Sequence, residues 1–212
     1  VQGLVFTQTI IRDNLSYLTN QLLPLVTLGV LCFKTQKHQS YEFYFLLISA
    51  LVGSLFMAGS HNLLIMYLAI ELTSYSSYLL TGFDFNEKGS EAALKYLLFG
   101  GLSSAVMLFG ISLLYGANHS LYFDIMEFSI LDVTGLLFFL SGLFFKTAIV
   151  PFHIWIPTTY QGAPTDSVAF FSTVPKIAGF AALCHVFQWT NAVSYTHLRA
   201  HETPEHLVCR RR

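Results

Sequence analysis

Six apolar runs, each close to the length needed to cross a bilayer and parted by short polar turns, decide what this chain can become. They cover 15–33, 41–59, 63–83, 91–115, 133–150 and 166–189. A span of about 20 apolar residues in helical form crosses a hydrocarbon core of about 30 Å. In lipid, every backbone N–H and C=O must be paired, and a single run of this length achieves that only as a helix. The expected fold class is therefore an all-α polytopic membrane protein with about six transmembrane helices. Composition agrees, with 54% hydrophobic and 11% charged residues where a soluble domain carries about 25%.

The same composition excludes several function classes. A net charge of −1 leaves no electrostatic footprint for nucleic acid, so no nucleic-acid partner is expected. Cys32, Cys184 and Cys209 form neither a zinc spacing nor a disulfide framework, and there is no Gly-rich phosphate loop or haem ligand pair. Segment 1–13 reads as a surface stretch, and 84–89 as a loop that Ser90 ends as the N-cap of the fourth helix. A longer loop, 116–132, is acidic through Asp124, Glu127 and Asp132. Along an alternating path Lys34, Lys37 and Lys88 share one side and Arg12 the other, which makes the first side cytoplasmic.

The two ends are read as foreign to a complete protein. The chain opens at Val1 without a Met or a basic signal region, so it is expected to be a fragment. Hydropathy collapses from Ala192, and 193–203 resembles one reading frame of a transposase sequencing-library adapter. Residues 192–212 are accordingly expected to be a non-native, adapter-derived tail without regular structure.

Chemistry is sought among the charges inside the spans. Lys146 lies in an apolar run and Pro151 follows five residues later. The proline ring removes a backbone donor and disturbs the carbonyl four residues back, so a helix break is expected beside a buried amine. A membrane lysine on a broken helix is a functional-site hypothesis in its own right. Lys176 directly follows Pro175 and repeats the pairing, so a second break is expected there. Glu71 sits near the middle of the third span, on one helical face with Ser74, Tyr75 and Tyr78. A charge at that depth costs roughly 2.5–3.5 kcal/mol on insertion scales. An ion pair with Lys146 would offset part of that cost, and this pairing is expected. Burial and a neighbouring carboxylate act on a lysine's charge in opposite senses, so Lys146 and Lys176 can change charge state when a partner moves.

Other polar residues carry weaker signals. Lys95, one turn into the fourth span, serves either as a site residue or as a snorkelling side chain. His38, His61 and His119 fall in turns or loops, His153 follows the break, and His185 reads as a satisfied polar residue. Trp155 and Tyr160, in a half-helix or loop over 153–163, are expected at interface depth. The small-residue run Gly100-Gly101-Leu-Ser103-Ser104-Ala105 reads as a helix-packing face without chemistry.

Four stretches carry a family resemblance: Tyr67-Leu-Ala-Ile-Glu-Leu-Thr-Ser-Tyr-Ser-Ser-Tyr78, Ser90-Glu-Ala-Ala-Leu-Lys-Tyr96, Phe145-Lys-Thr-Ala-Ile-Val-Pro-Phe-His-Ile-Trp155 and Tyr160-Gln-Gly-Ala-Pro-Thr165. They resemble the antiporter-like membrane subunits of respiratory complex I, the N-type of NADH-quinone oxidoreductase above all. The resemblance implies a multi-pass protein of the bacterial inner membrane with two inverted five-helix repeats. Of these, 41–191 would be the first and 1–40 an N-terminal segment with a preceding helix. It implies proton translocation through Glu71, Lys146 and Lys176, with Lys95 also functionally placed. Other complex I membrane subunits, lipid and protons would be its partners. No cofactor would be bound by this chain, with NADH and quinone used elsewhere in the complex. A cation/proton antiporter subunit of the multi-subunit type, or a structural membrane subunit, is the alternative reading.

Overall fold

Helices form where the apolar runs lie, and the starts of the first, third, fourth and fifth in chain order are set by capping side chains. The computed structural model describes residues 3–5, 9–32, 40–122 and 129–200. A short antiparallel ribbon, β1 (Gly3–Val5) and β2 (Ile10–Arg12), precedes the helices, where the sequence suggested only a surface stretch. Seven helices follow: α1 (Asn14–Cys32), α2 (Tyr41–Gly59), α3 (Leu63–Thr81), α4 (Glu87–Asn118), α5 (Ile130–Thr147), α6 (Ile156–Gly162) and α7 (Thr165–Ala200). Among the described residues six of these are long and apolar enough to cross a membrane, α6 being the exception.

Helix starts show why some expected boundaries move. Asp13 opens α1, with its carboxylate accepting from the Ser16 backbone N–H at 2.7 Å and the Ser16 hydroxyl accepting from its N–H at 2.9 Å. Asn62 accepts from the amides of Leu64 and Ile65 and so fixes α3 one residue after a tight turn. For α4 the expected cap, Ser90, lies inside the helix. Asn86 caps instead, accepting from Gly89 at 2.6 Å, because a side-chain carbonyl reaching back to the N3 amide satisfies a donor the helix leaves unpaired. Asp132, expected in a loop, is buried in the first turn of α5 and forms a reciprocal capping box with Ser129. That box moves α5 three residues earlier than the hydropathy suggested. Lys34 and Lys37, two of the three lysines behind the orientation, lie outside the described residues, as do Asp124, Glu127 and Cys209.

Packing is closest between α4 and α5, and between α2 and α3, while α7 runs against α1, α2, α3 and α5. Close approach of α4 to α5 requires glycine on both helices. A Cβ on Gly110 would lie 2.6 Å from the Gly135 carbonyl oxygen, and one on Gly135 would lie 2.9 Å from the Gly110 oxygen. The core is built from Phe43, Leu47, Met57, Met66, Phe139 and Phe170, all fully enclosed. Outward, Leu25, Phe45, Leu68, Leu98, Leu102 and Leu137 are more than half exposed. A surface so apolar suits acyl chains rather than water. Hydroxyls inside the bundle bond their own helix one turn back, as Thr73, Ser77 and Thr81 do in succession along α3.

Two expectations about α7 are corrected. The helix passes through Pro175 without a break. The proline denies the Phe171 carbonyl its usual donor, but membrane helices absorb such a loss when neighbouring helices enclose the site, and Phe171, Val174 and Pro175 are all buried. The backbone also remains helical from Ala192 to Ala200, where no regular structure was expected. Extending an existing helix needs no new nucleus, and the first proline beyond it is Pro204. Residues 201–212 lie outside the described residues.

Candidate functional site

Lys146 occupies the last turn of α5 and is 3% exposed. It belongs to a helix C-terminus, the negative end of the helix dipole. The break does come beside it, but at Ala148 rather than at Pro151. Ala148 adopts a left-handed conformation (φ 61°) and donates back to the Phe145 carbonyl at 3.2 Å, while the Ile149 amide bonds the Phe144 carbonyl at 2.9 Å. Pro151 keeps the helix from resuming beyond the break, since a proline disfavours helical backbone in the residue before it, Val150. Neither is the break left open. Trp155, expected at the interface, is buried and donates from Nε1 to the Phe145 carbonyl at 3.2 Å.

Glu71 and Lys146 each bond a serine hydroxyl rather than each other. No ion pair within 4 Å joins them among the described residues, which corrects the expected direct contact. The Lys146 amine donates to Ser74 Oγ at 3.1 Å. One turn earlier on the same helix, the Glu71 carboxylate accepts from the Ser104 hydroxyl of α4. Beside Lys146 lies a cavity of about 10 Å³ lined also by Ser74, Tyr78, Ser103 and Ser104, the size of a single water site, and Ser104 on its wall is the donor to Glu71. Desolvating two charges is costly, and here each charged group is given a hydroxyl instead of its opposite charge. Ser103 and Ser104, read from the sequence as mere packing, therefore belong to the polar centre. Their apolar, small-residue setting hid them, for no spacing rule pairs a serine of one helix with a glutamate of another.

The remaining candidates separate from this centre. Lys176, about a third of the way along α7, stands over the ring of Tyr160 of α6, 5.5 Å from its centroid. Lys95 lies on the outer face of α4, paired with Glu91 at 2.5 Å, and its side chain is 44% exposed. It lines a cleft between α4 and α6 with Lys88, Thr158 and Gln161, so the structure does not bring it to Glu71 or Lys146. Tyr75 points outward, although it shares a helical face with Glu71 by spacing. His153 is exposed, and His185 is buried with Nε2 3.8 Å from the Asp13 carboxylate.

These motifs sit within a known sequence pattern. The family model described as NADH:quinone oxidoreductase/Mrp antiporter, TM, matches residues 60–199. The chain belongs to this family. NADH-quinone oxidoreductase subunit N 2 of Rhizobium meliloti is 46% identical over 154 residues, covering 69% of this chain and 32% of that protein. A chain in the structure of respiratory complex I from Thermus thermophilus with bound aureothin superposes with a TM-score of 0.79 at 36% identity, covering 86% of this chain and 42% of the other. A chain of the Mrp complex from Dietzia sp. shares the fold, with a TM-score of 0.71 at 19% identity, over 84% of this chain and 35% of that one. The chain spans about a third of the length of the curated relatives it matches. It is a multi-pass inner-membrane protein of the antiporter-like kind.

Proposed function

We propose that this chain is part of a proton-translocating membrane subunit of NADH-quinone oxidoreductase, and that residues 41–191 are one five-helix repeat of it. On this reading Glu71, Lys146 and Lys176 relay protons, and Lys95 serves the cytoplasmic side from its cleft between α4 and α6. Other membrane subunits of the complex and the lipid bilayer are its partners. NADH and quinone react elsewhere in the assembly, and this chain carries no redox step. Residues 192–212 are read as a tail foreign to the subunit.

The observation that carries this reading is a buried amine at a broken helix end, one hydroxyl away from the helix that bears a membrane carboxylate. The Ser74 and Ser104 hydroxyls, with a water-sized cavity beside Lys146, give both charged groups a partner that does not fix their separation. When Glu71 holds the centre negative, the Lys146 ammonium is stabilised. When the carboxylate is drawn away, desolvation favours the neutral amine and its proton moves on. A similarity of 36% to a complex I chain, against 19% to an Mrp chain, favours the oxidoreductase over the antiporter.

The test uses the full-length subunit in the assembled complex, reconstituted into vesicles. Lys146→Ala is expected to reduce both the proton yield per NADH and coupled quinone reduction, and Glu71→Asp to retain more of each than Glu71→Gln. Wild-type proton yield and turnover in the Lys146→Ala complex would refute the relay.

A further inference from the structure

The two lysines of the relay have no direct link. Lys146 bonds Ser74, and among the described residues no hydrogen bond joins it to Lys176. What lies between them is a run of aromatic side chains. Tyr78 lines the Lys146 cavity, and its ring meets that of Tyr96 edge-on, 4.7 Å between centroids. Tyr96 is buried and stacks flat on Trp155, at 4.3 Å and an interplanar angle of 4°. Trp155 meets Tyr160 edge-on at 6.4 Å. Tyr160 then carries the Lys176 amine over its ring. It is thus the side chain that touches both the aromatic cluster and the second lysine.

Its hydroxyl is the odd feature. The Tyr160 oxygen is buried and makes no hydrogen bond among the described residues. Burying an unpaired hydroxyl works against stability, and a phenylalanine would supply the same ring to the cluster and to the lysine without that penalty. The hydroxyl therefore has no packing reason to be there.

We propose that Tyr160 is a proton-relay residue, its hydroxyl handing protons between the phenol cluster around Lys146 and the amine of Lys176. This rests on the relay reading above and adds a residue to it. In the forward step an N–H bond of the Lys146 ammonium breaks, leaving that amine neutral, and its proton, carried by water, forms a new O–H bond at the phenol oxygen. The phenol's own proton leaves to the neutral Lys176 amine, where it forms an N–H bond. Tyr160 ends as the neutral phenol it was at the start, and the positive charge has moved to Lys176. The lysine's flexible four-carbon stem brings its nitrogen from the ring face to the hydroxyl edge, while the ring holds the resulting ammonium by a cation–π contact.

Tyr160→Phe, in the assembled complex with the full-length subunit, removes the hydroxyl and keeps the ring. The proton yield per NADH is expected to fall by about tenfold, a modest loss for a positioned proton-transfer group, with complex assembly unchanged. Tyr160→His, which restores a titratable group, is expected to recover part of that yield and to shift its pH profile. Tyr160→Leu, which loses ring and hydroxyl together, is expected to be impaired at least as much as Tyr160→Phe. Wild-type proton yield in Tyr160→Phe, or a loss confined to Tyr160→Leu, would overturn the proposal, because the ring alone would then suffice. Lys146→Ala and Lys176→Ala are measured in the same preparation. Loss in both lysine variants beside a wild-type Tyr160→Phe removes Tyr160 from the path and leaves the relay standing. Wild-type yield in all three rejects the relay itself.

Discussion

Gly100 decides whether the phenol of Tyr78 can reach the Lys146 cavity, because a Cβ there would stand 1.9 Å from the Tyr78 hydroxyl oxygen. The α4 backbone leaves a notch and the phenol fills it, beside the cavity that Ser74 and Ser104 line. Gly100→Ala is expected to push the phenol out of its seat and to lower stability by about 1–3 kcal/mol, the usual scale of overpacking. Thermal unfolding in detergent measures the loss. Gly101→Ala is the control, since open space surrounds a Cβ at that position and alanine favours helix; its melting point is expected to hold or rise. The neighbouring glycines look alike in sequence. Only the phenol placed across from one of them tells them apart.

At the scale of elements, Asp13 joins two jobs in one carboxylate. It caps α1 through Ser16 and faces the imidazole of His185 on α7. Burial works against its charge, but the hydrogen bonds from Ser16 and the attraction of His185 outweigh it and hold the carboxyl below its ordinary range. The folded state therefore takes up a proton here less readily than the unfolded chain does. Its stabilising contribution is complete above the ordinary aspartate pKa and is lost as pH falls through the lower, folded value. Asp13→Asn keeps a capping oxygen without the charge, so its melting point is expected to fall less than the wild type's between neutral pH and pH of about 3. An equal fall in both proteins would show that the carboxylate charge contributes nothing. Asp13→Ala loses the cap as well, at a further cost of about 1 kcal/mol.

Across the whole molecule, an apolar exterior is what makes lipid the solvent, and it has a direct check. Leu68 is 56% exposed on α3. In a water-soluble protein an arginine there would be nearly neutral, whereas here Leu68→Arg is expected to cost roughly 2.5–3.5 kcal/mol of insertion free energy, read as the inserted fraction in a glycosylation-mapping assay. The spans were legible in the sequence because bilayer thickness imposes a length that hydropathy alone reveals, and α2 falls on the expected residues, 41–59. The charged candidates were legible because a membrane makes any charge conspicuous. What the sequence hid was partnership across helices. Ser104 and Trp155 each look ordinary in their own segment, and their roles exist only where α4 meets α3 and where the start of α6 meets α5. Helix ends were also obscured, since Asn86 and the Ser129–Asp132 box act by local geometry that hydropathy ignores. One consequence reaches over the full bundle. The seven-residue α6 begins directly after the indole that is bonded to the end of α5, and one turn on it carries the ring beneath Lys176. On the relay proposed above it would work as a crank with a pin at each end, a tilt of this one short rod displacing the surroundings of both amines in the same stroke.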